Sequence, residues 1–333
     1  MINFGIIGFG LHAVKRVMPG FALAKNCRVS ALSRRDLAKA KESARQYDIP
    51  LAFDSAEKLC RSPQVDAVFI TTPNACHLED GLVAAACGKP ILCEKPMAVN
   101  ADQCRQMVDA ARKAKVLLGV AQVFRFEEST AWLRQKLSAG QIGKLVFARS
   151  EFSFPASHGH ARTWIHDPVV SGGGPVADVG VHCVDTLRFI LQDEVLRVSA
   201  REIPGSAGEV EAGASMVLEF SRGTLATVAV SFLAEYRTPL ELVGETGVLW
   251  ADNALTVEHP INLELRRGGA VVESQAVSNR LAYALQVDAF ANAVEGKAEF
   301  PIPGEEGWRN QEILDAAYRS MKSGRTEAVP NVA

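Results

Sequence analysis

Short apolar runs alternate with helix-like segments over the first third of the chain. The apolar runs predict strands at 3–7, 28–32, 67–71, 90–93 and 117–122. Segments with helical character predict helices at 12–23, 36–47, 78–87 and 101–113. Uniformly apolar strands that are separated by helices are typical of a parallel sheet covered on both faces.

The pattern changes after residue 122. Runs with period-two character predict strands at 146–154, 196–203, 214–220, 224–232, 239–243, 247–251 and 262–267. Further helices are predicted at 127–138, 176–191, 281–294 and 306–322. Because most of these strands follow one another directly, with glycine turns at 222–223 and 268–269, we expect a mainly antiparallel sheet. The chain is therefore predicted to be an α/β protein with domains at 1–122 and 123–333, whose C-terminal helix packs back on the first domain.

Composition narrows the class of protein. The 333 residues suit two domains of ordinary size, and the hydrophobic content of 48% is that of a packed globular chain. The formal net charge is −2. This balance excludes the strongly basic field of a nucleic-acid-binding protein and a generic attraction to anionic membranes.

Cysteine usage and the N-terminus indicate the compartment. The seven cysteines are odd in number, irregularly spaced and without a Cys-x-x-Cys pair, which favours a reducing compartment. The N-terminus lacks the basic region and cleavage site of a signal peptide, and no apolar run reaches the ~18 residues of a membrane helix. We expect a cytoplasmic protein.

A glycine-rich turn, Gly8-Phe9-Gly10-Leu11-His12-Ala13, directly follows the first predicted strand. Gly8 permits a tight turn, Gly10 lets a pyrophosphate approach the helix N-terminus, and Ala13 allows close helix–strand packing. Such a triplet alone is a weak signal, but it lies in the strand–turn–helix context that dinucleotide binding requires. We predict a Rossmann domain with Gly8, Gly10, Leu11 and His12 at the cofactor.

The end of the second strand indicates which cofactor is bound. An NAD enzyme usually has an acidic residue there for the ribose hydroxyls, whereas this chain has Ser33-Arg34-Arg35. A hydroxyl and a guanidinium bind a 2′-phosphate through charge-assisted hydrogen bonds worth about 1.5–3 kcal/mol. The alternative is a solvated basic start to the next helix, with Asp36 as a ribose partner. NADP(H) is favoured over NAD(H).

Two further strand exits carry candidate residues. Thr71-Thr72-Pro73-Asn74 and His77 follow the third strand, at the edge where parallel sheets bind ligands, and suit ribose and nicotinamide contacts. A helix cap and turn explains Thr72-Pro73 equally well. Glu94-Lys95-Pro96 follows the next strand, and lysine is rarely buried unpaired. Lys95 is either a donor to a reacting oxygen beside the cofactor, paired with Glu94, or a surface lysine.

A polar stripe is predicted on the helix at 176–191. Gly172-Gly173-Gly174 precedes this helix, which contains Asp178, His182 and Asp185 at i,i+4 and i,i+3 spacing. The glycines are expected to allow close approach of a ligand. The stripe is either a satisfied polar network in the core or a general acid/base with its orienting partner.

The order Gly8-x-Gly10, Glu94-Lys95-Pro96 and Asp178-x-Gly180-x-His182-x-x-Asp185 resembles the glucose–fructose oxidoreductase / inositol dehydrogenase / MocA-like family over nearly the whole chain. The resemblance implies a Rossmann domain and a C-terminal α+β domain with a large, open, mainly antiparallel sheet. That sheet commonly builds the oligomer interface, so a homodimer or homotetramer is expected. The resemblance also implies catalytic roles for Lys95, Asp178 and His182, with either NAD or NADP.

Segments outside these motifs suit a substrate pocket. Phe124-Arg125-Phe126 is similar to the family's domain-crossing segment, and a loop rich in Pro, His and Gly at 155–174 is expected over the substrate. The predicted substrate contacts are Lys95, Arg125, Arg162, Trp164, Asp178, His182 and Asp185. The loop also contains His158 and His160, but no carboxylate or cysteine stands at ligand spacing beside them, so no metal is expected.

These residues predict an NAD(P)-dependent oxidoreductase that moves a hydride between nicotinamide and a secondary alcohol or carbonyl of a sugar, cyclitol or related polyol. His182 is expected to exchange the hydroxyl proton, and Lys95 to stabilise charge on the same oxygen. Asp178 is expected to bind substrate or orient His182. The alternatives are a non-catalytic, dinucleotide-sensing regulator and a glycosidase that retains NAD. The complete set of three residues argues against a sensor.

Overall fold

The computed structural model describes residues 1–156 and 162–330, and the chain divides into two compact units. The first unit contains Met1–Gln122 and Tyr283–Gln311, and the second contains Val123–Ala282 and Glu312–Ala333. The predicted range 123–333 is therefore not one continuous domain, because 283–311 belongs to the first unit.

The first unit is built on a six-stranded parallel sheet in the order β3-β2-β1-β4-β5-β6. The strands are β1 (Ile2–Ile7), β2 (Cys27–Ser33), β3 (Leu51–Phe53), β4 (Ala67–Ile70), β5 (Ile91–Glu94) and β6 (Leu118–Ala121). The strand order reverses between β1 and β4, and their carboxyl ends form the switch point where such sheets bind ligands. The predicted parallel α/β sheet is confirmed.

Five helices alternate with these strands. They are α1 (Met18–Leu23), α2 (Leu37–Gln46), α3 (Ala56–Cys60), α4 (His77–Ala86) and α5 (Ala101–Ala114). The helix predicted at 12–23 is not uniform, because Ala13–Val17 is π-helical and α1 follows it. Pro19 lies in the first turn of α1 and has no N–H to continue the hydrogen-bond ladder of the preceding turn.

The second unit is built on a nine-stranded sheet in the order β14-β13-β12-β11-β7-β10-β9-β8-β15. The strands are β7 (Leu145–Ser153), β8 (Val195–Ile203), β9 (Gly213–Phe220), β10 (Leu225–Ser231), β11 (Leu240–Gly244), β12 (Val248–Ala251), β13 (Ile261–Arg267), β14 (Ala270–Val277) and β15 (Glu327–Ala328). Only the β7–β10 pair among them is parallel. The predicted, mainly antiparallel sheet of the second domain is confirmed.

The second unit contains the helices α6 (Glu128–Ser138), α7 (Pro168–Ser171) and α8 (Val181–Leu191). A π-helical segment, Val176–Gly180, runs directly into α8, and both segments contact β7. The chain closes with α9 (Ala282–Val294) and α10 (Gly304–Ser323), and α10 contributes to both units.

The described residues contain neither a membrane-spanning helix nor a cluster of metal ligands. In this part of the chain, no helix combines the length and the apolar character needed to cross a membrane. The same residues contain no group of three or more His, Cys, Asp or Glu side chains that would hold a metal ion. His158 and His160 lie outside the described residues.

Candidate functional site

The glycine turn of the first unit leaves room for a dinucleotide. Gly8 has φ +86°, and a Cβ there would lie 2.4 Å from Thr72 Cγ2, so both backbone and space require glycine. A Cβ on Gly10 would meet only the Gly8 carbonyl oxygen, at 3.9 Å. The helical stretch begins directly afterwards at Leu11. Open space at Gly10 beside a helix N-terminus fits the pyrophosphate of a dinucleotide.

The end of β2 contacts this turn through Ser33. Ser33 is 2% exposed, and its carbonyl oxygen accepts hydrogen bonds from the N–H groups of Gly8 and Phe9. Ser33 therefore holds the turn through its backbone and, contrary to expectation, offers almost no side-chain surface to a phosphate. Arg34 is half-buried and Arg35 is exposed.

Asp36, the alternative ribose partner, has another role. Its carboxylate accepts hydrogen bonds from the N–H groups of Ala38 and Lys39 and so caps α2. The acidic residue nearest the end of β2 is thus engaged by the helix that follows. Arg34 and Arg35 are the other charged residues that follow β2 directly.

The hydroxyls at the exit of β4 donate to the protein. Thr71 Oγ1 donates to the Gly8 carbonyl oxygen at 2.8 Å, and Thr72 Oγ1 donates to Asp80 Oδ2 at 2.7 Å. Burial raises the pKa of Asp80 to about 6, against a smaller opposing effect of the Thr72 hydroxyl. Thr71 thus ties the glycine turn to the exit of β4, and Thr72 ties that exit to α4, instead of donating to ribose as expected. The following Pro73 is half-buried and Asn74 is buried.

His77 is a buried link between two strand exits. It is fully buried, with Nε2 2.8 Å from the Thr72 carbonyl oxygen and Nδ1 3.0 Å from the Pro96 carbonyl oxygen. Burial lowers the pKa of His77, while the two carbonyl acceptors and Glu94 oppose that shift. The expectation that His77 contacts the cofactor does not fit this geometry, because both ring nitrogens point at the backbone.

Glu94 connects the glycine turn to Lys95. His12 Nε2 lies 2.9 Å from Glu94 Oε1, and the Lys95 N–H donates to Glu94 Oε2 at 3.2 Å. Burial alone would raise the pKa of Glu94, but the charges of His12, Lys95 and His77 outweigh burial and lower it. The half-buried Lys95 precedes a cis peptide bond to Pro96. The structure therefore brings together the predicted residues His12, Glu94 and Lys95.

In the second unit, Asp178 is paired with an arginine. Arg162 Nη1 and Nη2 lie 3.2 and 3.0 Å from the two carboxylate oxygens of Asp178, in a bidentate ion pair. Asp178 belongs to the π-helical segment, and π-helical turns are frequent at functional sites. Two of the predicted substrate-contacting residues are thus brought together.

His182 lies among aromatic rings. The Phe124 ring is 4.4 Å from the imidazole in an edge-on arrangement, and the Phe152 ring is nearly parallel to it at 6.0 Å. The half-buried Tyr236, which follows β10 in the sequence, contacts the Phe152 ring. The predicted residue Trp164 is half-buried and packs against a small apolar cluster of Ala156, Ile165 and Phe232. The predicted general acid/base therefore has a largely apolar environment.

Arg125 and Asp185 form a buried ion pair with each other. The guanidinium makes two hydrogen bonds to the carboxylate, at 2.9 and 2.6 Å, and the side chains are 8% and 1% exposed. Each residue satisfies the other's charge within the second unit. This geometry corrects the expectation that both bind substrate: they hold the segment with Phe124 against α8, the helix with His182.

The glycines before the π-helical segment serve packing. A Cβ on Gly173 would lie 1.8 Å from the Tyr318 hydroxyl, and a Cβ on Gly174 would lie 2.2 Å from the Glu211 carbonyl oxygen. The space expected for a ligand is therefore filled by Tyr318 and Glu211. Neither residue is predictable from the sequence, because each is a single position outside any motif.

Two family models match the chain. The model of a GFO/IDH/MocA oxidoreductase family with an NAD-binding Rossmann fold matches residues 2–122, and the GFO/IDH/MocA C-terminal domain matches residues 130–250. The 1,5-anhydro-D-fructose reductase of Ensifer adhaerens is 30% identical over 311 residues, which cover 92% of each chain. The D-xylose 1-dehydrogenase (NADP(+)) 2 of Haloferax volcanii is 32% identical over 96% of this chain and 98% of its own.

A solved structure is similar over nearly the full length. The aldose-aldose oxidoreductase of Caulobacter crescentus, complexed with glycerol, has a TM-score of 0.89 and 25% sequence identity. The match covers 98% of this chain and 99% of that chain.

Proposed function

The chain belongs to the GFO/IDH/MocA oxidoreductase family, and on this premise we propose that it is an NADP(H)-dependent dehydrogenase or reductase of a sugar, cyclitol or related polyol. The observation that carries the proposal is that Asp178 and His182 lie four residues apart on one helical stretch. Asp178 is held by Arg162, and His182 follows four residues later in an aromatic environment. The named activities of the relatives support a carbohydrate substrate.

Each catalytic residue has a distinct task in this proposal. A bound nicotinamide supplies the hydride-transfer chemistry. His182 accepts the substrate hydroxyl proton in oxidation and returns it in reduction, a task suited to imidazole near neutral pH. Lys95 donates a hydrogen bond to a substrate oxygen and stabilises its developing negative charge. Asp178, with its carboxylate fixed by Arg162, binds a substrate hydroxyl.

The substrate preference follows from the second unit. Phe152 and Tyr236 present apolar ring surface near His182, which suits the C–H face of a sugar or cyclitol ring. Arg162 and Trp164 precede the π-helical segment in the sequence. In this proposal Arg162 makes a polar contact to the substrate and Trp164 makes a stacking contact to it. A ring-shaped polyol is therefore the proposed substrate class.

The cofactor preference rests on the end of β2. Arg34 and Arg35 are cationic, and Asp36 caps α2. An arginine favours the 2′-phosphate of NADP(H) through a charge-assisted hydrogen bond. One relative is named as an NADP(+) enzyme. We therefore place the 2′-phosphate at Arg34 and Arg35.

Assembly is proposed through the open face of the nine-stranded sheet. This face carries a shallow cavity of about 670 Å³, lined by residues that include Met216, Val217, Thr227 and Trp250. Cross-strand ion pairs such as Arg149–Glu241, at 2.8 Å, border it. A flat surface that mixes apolar and paired charged groups suits a second copy of the chain. Analytical ultracentrifugation of the wild type tests whether a dimer or tetramer forms.

The experiment that tests the function is a spectrophotometric screen. Purified protein is incubated with NADPH and ketoses, or with NADP+ and aldoses, cyclitols and polyols, and absorbance at 340 nm is followed. A change that requires both substrate and protein supports an oxidoreductase. Sugar release from glycosides without such a change would identify an NAD-retaining glycosidase. Cofactor binding without either reaction would favour a dinucleotide-sensing regulator.

A further inference from the structure

The segment with Asp178 and His182 begins at a helix end that is capped by Glu211, a residue distant in the chain, and packed by Tyr318. Helix N-termini leave backbone N–H groups without intrahelical acceptors. Here the N–H groups of Gly174 and Val176 donate to the two carboxylate oxygens of Glu211, at 3.0 and 3.1 Å. The Tyr318 hydroxyl lies against the same turn, since a Cβ on Gly173 would be 1.8 Å from it.

Glu211 and Tyr318 are joined to each other. The Tyr318 hydroxyl donates to Glu211 Oε1 at 3.1 Å, and Glu211 is 8% exposed. Burial and the neighbouring Glu211 hold the pKa of Tyr318 well above its usual range, so the hydroxyl proton stays available to the carboxylate. Burial also raises the pKa of Glu211, and the N–H groups of Gly174 and Val176 oppose that shift.

The capping contacts reach Asp178 through the backbone of a single residue, Gly174. The Gly174 N–H donates to Glu211, and the Gly174 carbonyl oxygen accepts the N–H of Asp178 at 2.9 Å. Side chains at 173 and 174 would collide with Tyr318 and Glu211, so the glycines permit this contact. A carboxylate at this end also complements the helix dipole.

We propose that Glu211 and Tyr318 are positioning residues that set the orientation of the segment bearing Asp178 and His182. The expected effect on catalysis rests on the proposed function, whereas the expected effect on the orientation of the segment rests on geometry alone. Neither residue is assigned to substrate or cofactor. Their effect on the reaction passes through the backbone of 174–178.

The test uses Glu211→Gln and Tyr318→Phe in the full-length protein. The matched control is Asp193→Asn, which follows the other end of α8. Asp193 is also a buried carboxylate that accepts two backbone N–H groups, those of Glu194 and Arg222, and one hydroxyl, that of Ser221. Glu211→Gln and Asp193→Asn each weaken a carboxylate that accepts two backbone N–H groups, and Asp193→Asn also weakens an ion pair with Arg222. Tyr318→Phe removes only the hydroxyl that donates to Glu211. Of the three residues, Glu211 and Tyr318 are the ones that contact the turn before the π-helical segment.

Two readouts are measured on each folded variant. Hydrogen–deuterium exchange of peptides covering 173–182 is expected to accelerate in Glu211→Gln and Tyr318→Phe and to stay unchanged in Asp193→Asn. The kcat for hydride transfer is expected to fall about 10- to 100-fold in the first two variants, while the Kd of the cofactor stays within about twofold. Tyr318→Phe removes a single oxygen atom and serves as the variant that keeps its fold.

Several outcomes would overturn the proposal. Unchanged exchange at 173–182 would mean that the pair does not position the segment. Faster exchange with a full wild-type kcat would reduce the pair to a stabilising contact. If the wild-type protein turned over none of the screened substrates, the proposed function would fail, and the exchange data would still decide whether the pair orders the segment.

Discussion

Arg34 Nη1 donates a hydrogen bond to Ser43 Oγ at 2.9 Å and is thereby tied to α2. The Arg34 N–H also donates to the Phe53 carbonyl oxygen, so the residue is held by both its backbone and its side chain. Ser43 is buried, which restricts the guanidinium to a defined part of the surface. An arginine restrained in this way loses less side-chain entropy when it binds a phosphate.

Arg34→Ala is expected to weaken NADPH binding about 10- to 100-fold, because a charge-assisted hydrogen bond to the 2′-phosphate is lost. NADH binding should change little. Fluorescence titration of both cofactors measures the two Kd values, and Arg45→Ala, on the exposed side of α2, is the control. Equal weakening of NADPH and NADH would refute the phosphate site.

Asp80 is expected to make stability depend on pH. Because burial raises its pKa to about 6 in the folded protein, from 3.8 ordinarily, the folded state binds the proton more tightly than the unfolded state. The stabilisation is fully present below pH 3.8 and is lost as the pH rises through 6. Asp80→Asn, which still accepts a hydrogen bond from Thr72, should therefore raise the free energy of unfolding by up to about 3 kcal/mol at pH 8.

Urea denaturation at pH 5 and pH 8 measures this effect, with Glu42→Gln, at an exposed position of α2, as the control. The gain from Asp80→Asn should be smaller at pH 5 than at pH 8. The same gain at both values would show that Asp80 does not titrate in this range.

The Arg125–Asp185 pair is expected to contribute to stability. Asp185→Asn leaves a buried guanidinium without its carboxylate and should destabilise the protein by about 3–5 kcal/mol. The double variant Arg125→Met/Asp185→Leu should recover much of this loss, because well-packed apolar residues often replace a buried ion pair. Chemical denaturation measures both effects. A raised substrate KM with unchanged stability would instead restore the two residues as substrate ligands.

The sequence was sufficient for most of the fold because buried strands are continuous apolar runs. The central strands β1, β4 and β5 lie within a residue or two of their predicted bounds. β14 was not predicted, because this edge strand is exposed on both faces and lacks alternation. The π-helical start of the segment before α8 was also missed, since one extra residue per turn leaves the polar and apolar pattern nearly unchanged.

The site was only partly predictable for a related reason. Sequence motifs identify residues near one another in the chain, such as Glu94 and Lys95. Glu211 lies 37 residues from Gly174 and 107 residues from Tyr318, so no local pattern connects them. The identity of residue 77 as histidine does not predict its role, because a histidine can contact a ligand or link two buried carbonyl oxygens.

Lys95 provides the most direct test of hydride transfer as the function of this protein. The rate of absorbance change at 340 nm is compared for wild type and Lys95→Ala, with a substrate found in the screen and saturating cofactor, and Lys89→Ala serves as a control for loss of a lysine. If the Lys95 ammonium stabilises the reacting oxygen, kcat falls about 100-fold or more in Lys95→Ala, with nearly unchanged cofactor affinity. Near wild-type turnover in Lys95→Ala would contradict this role of Lys95.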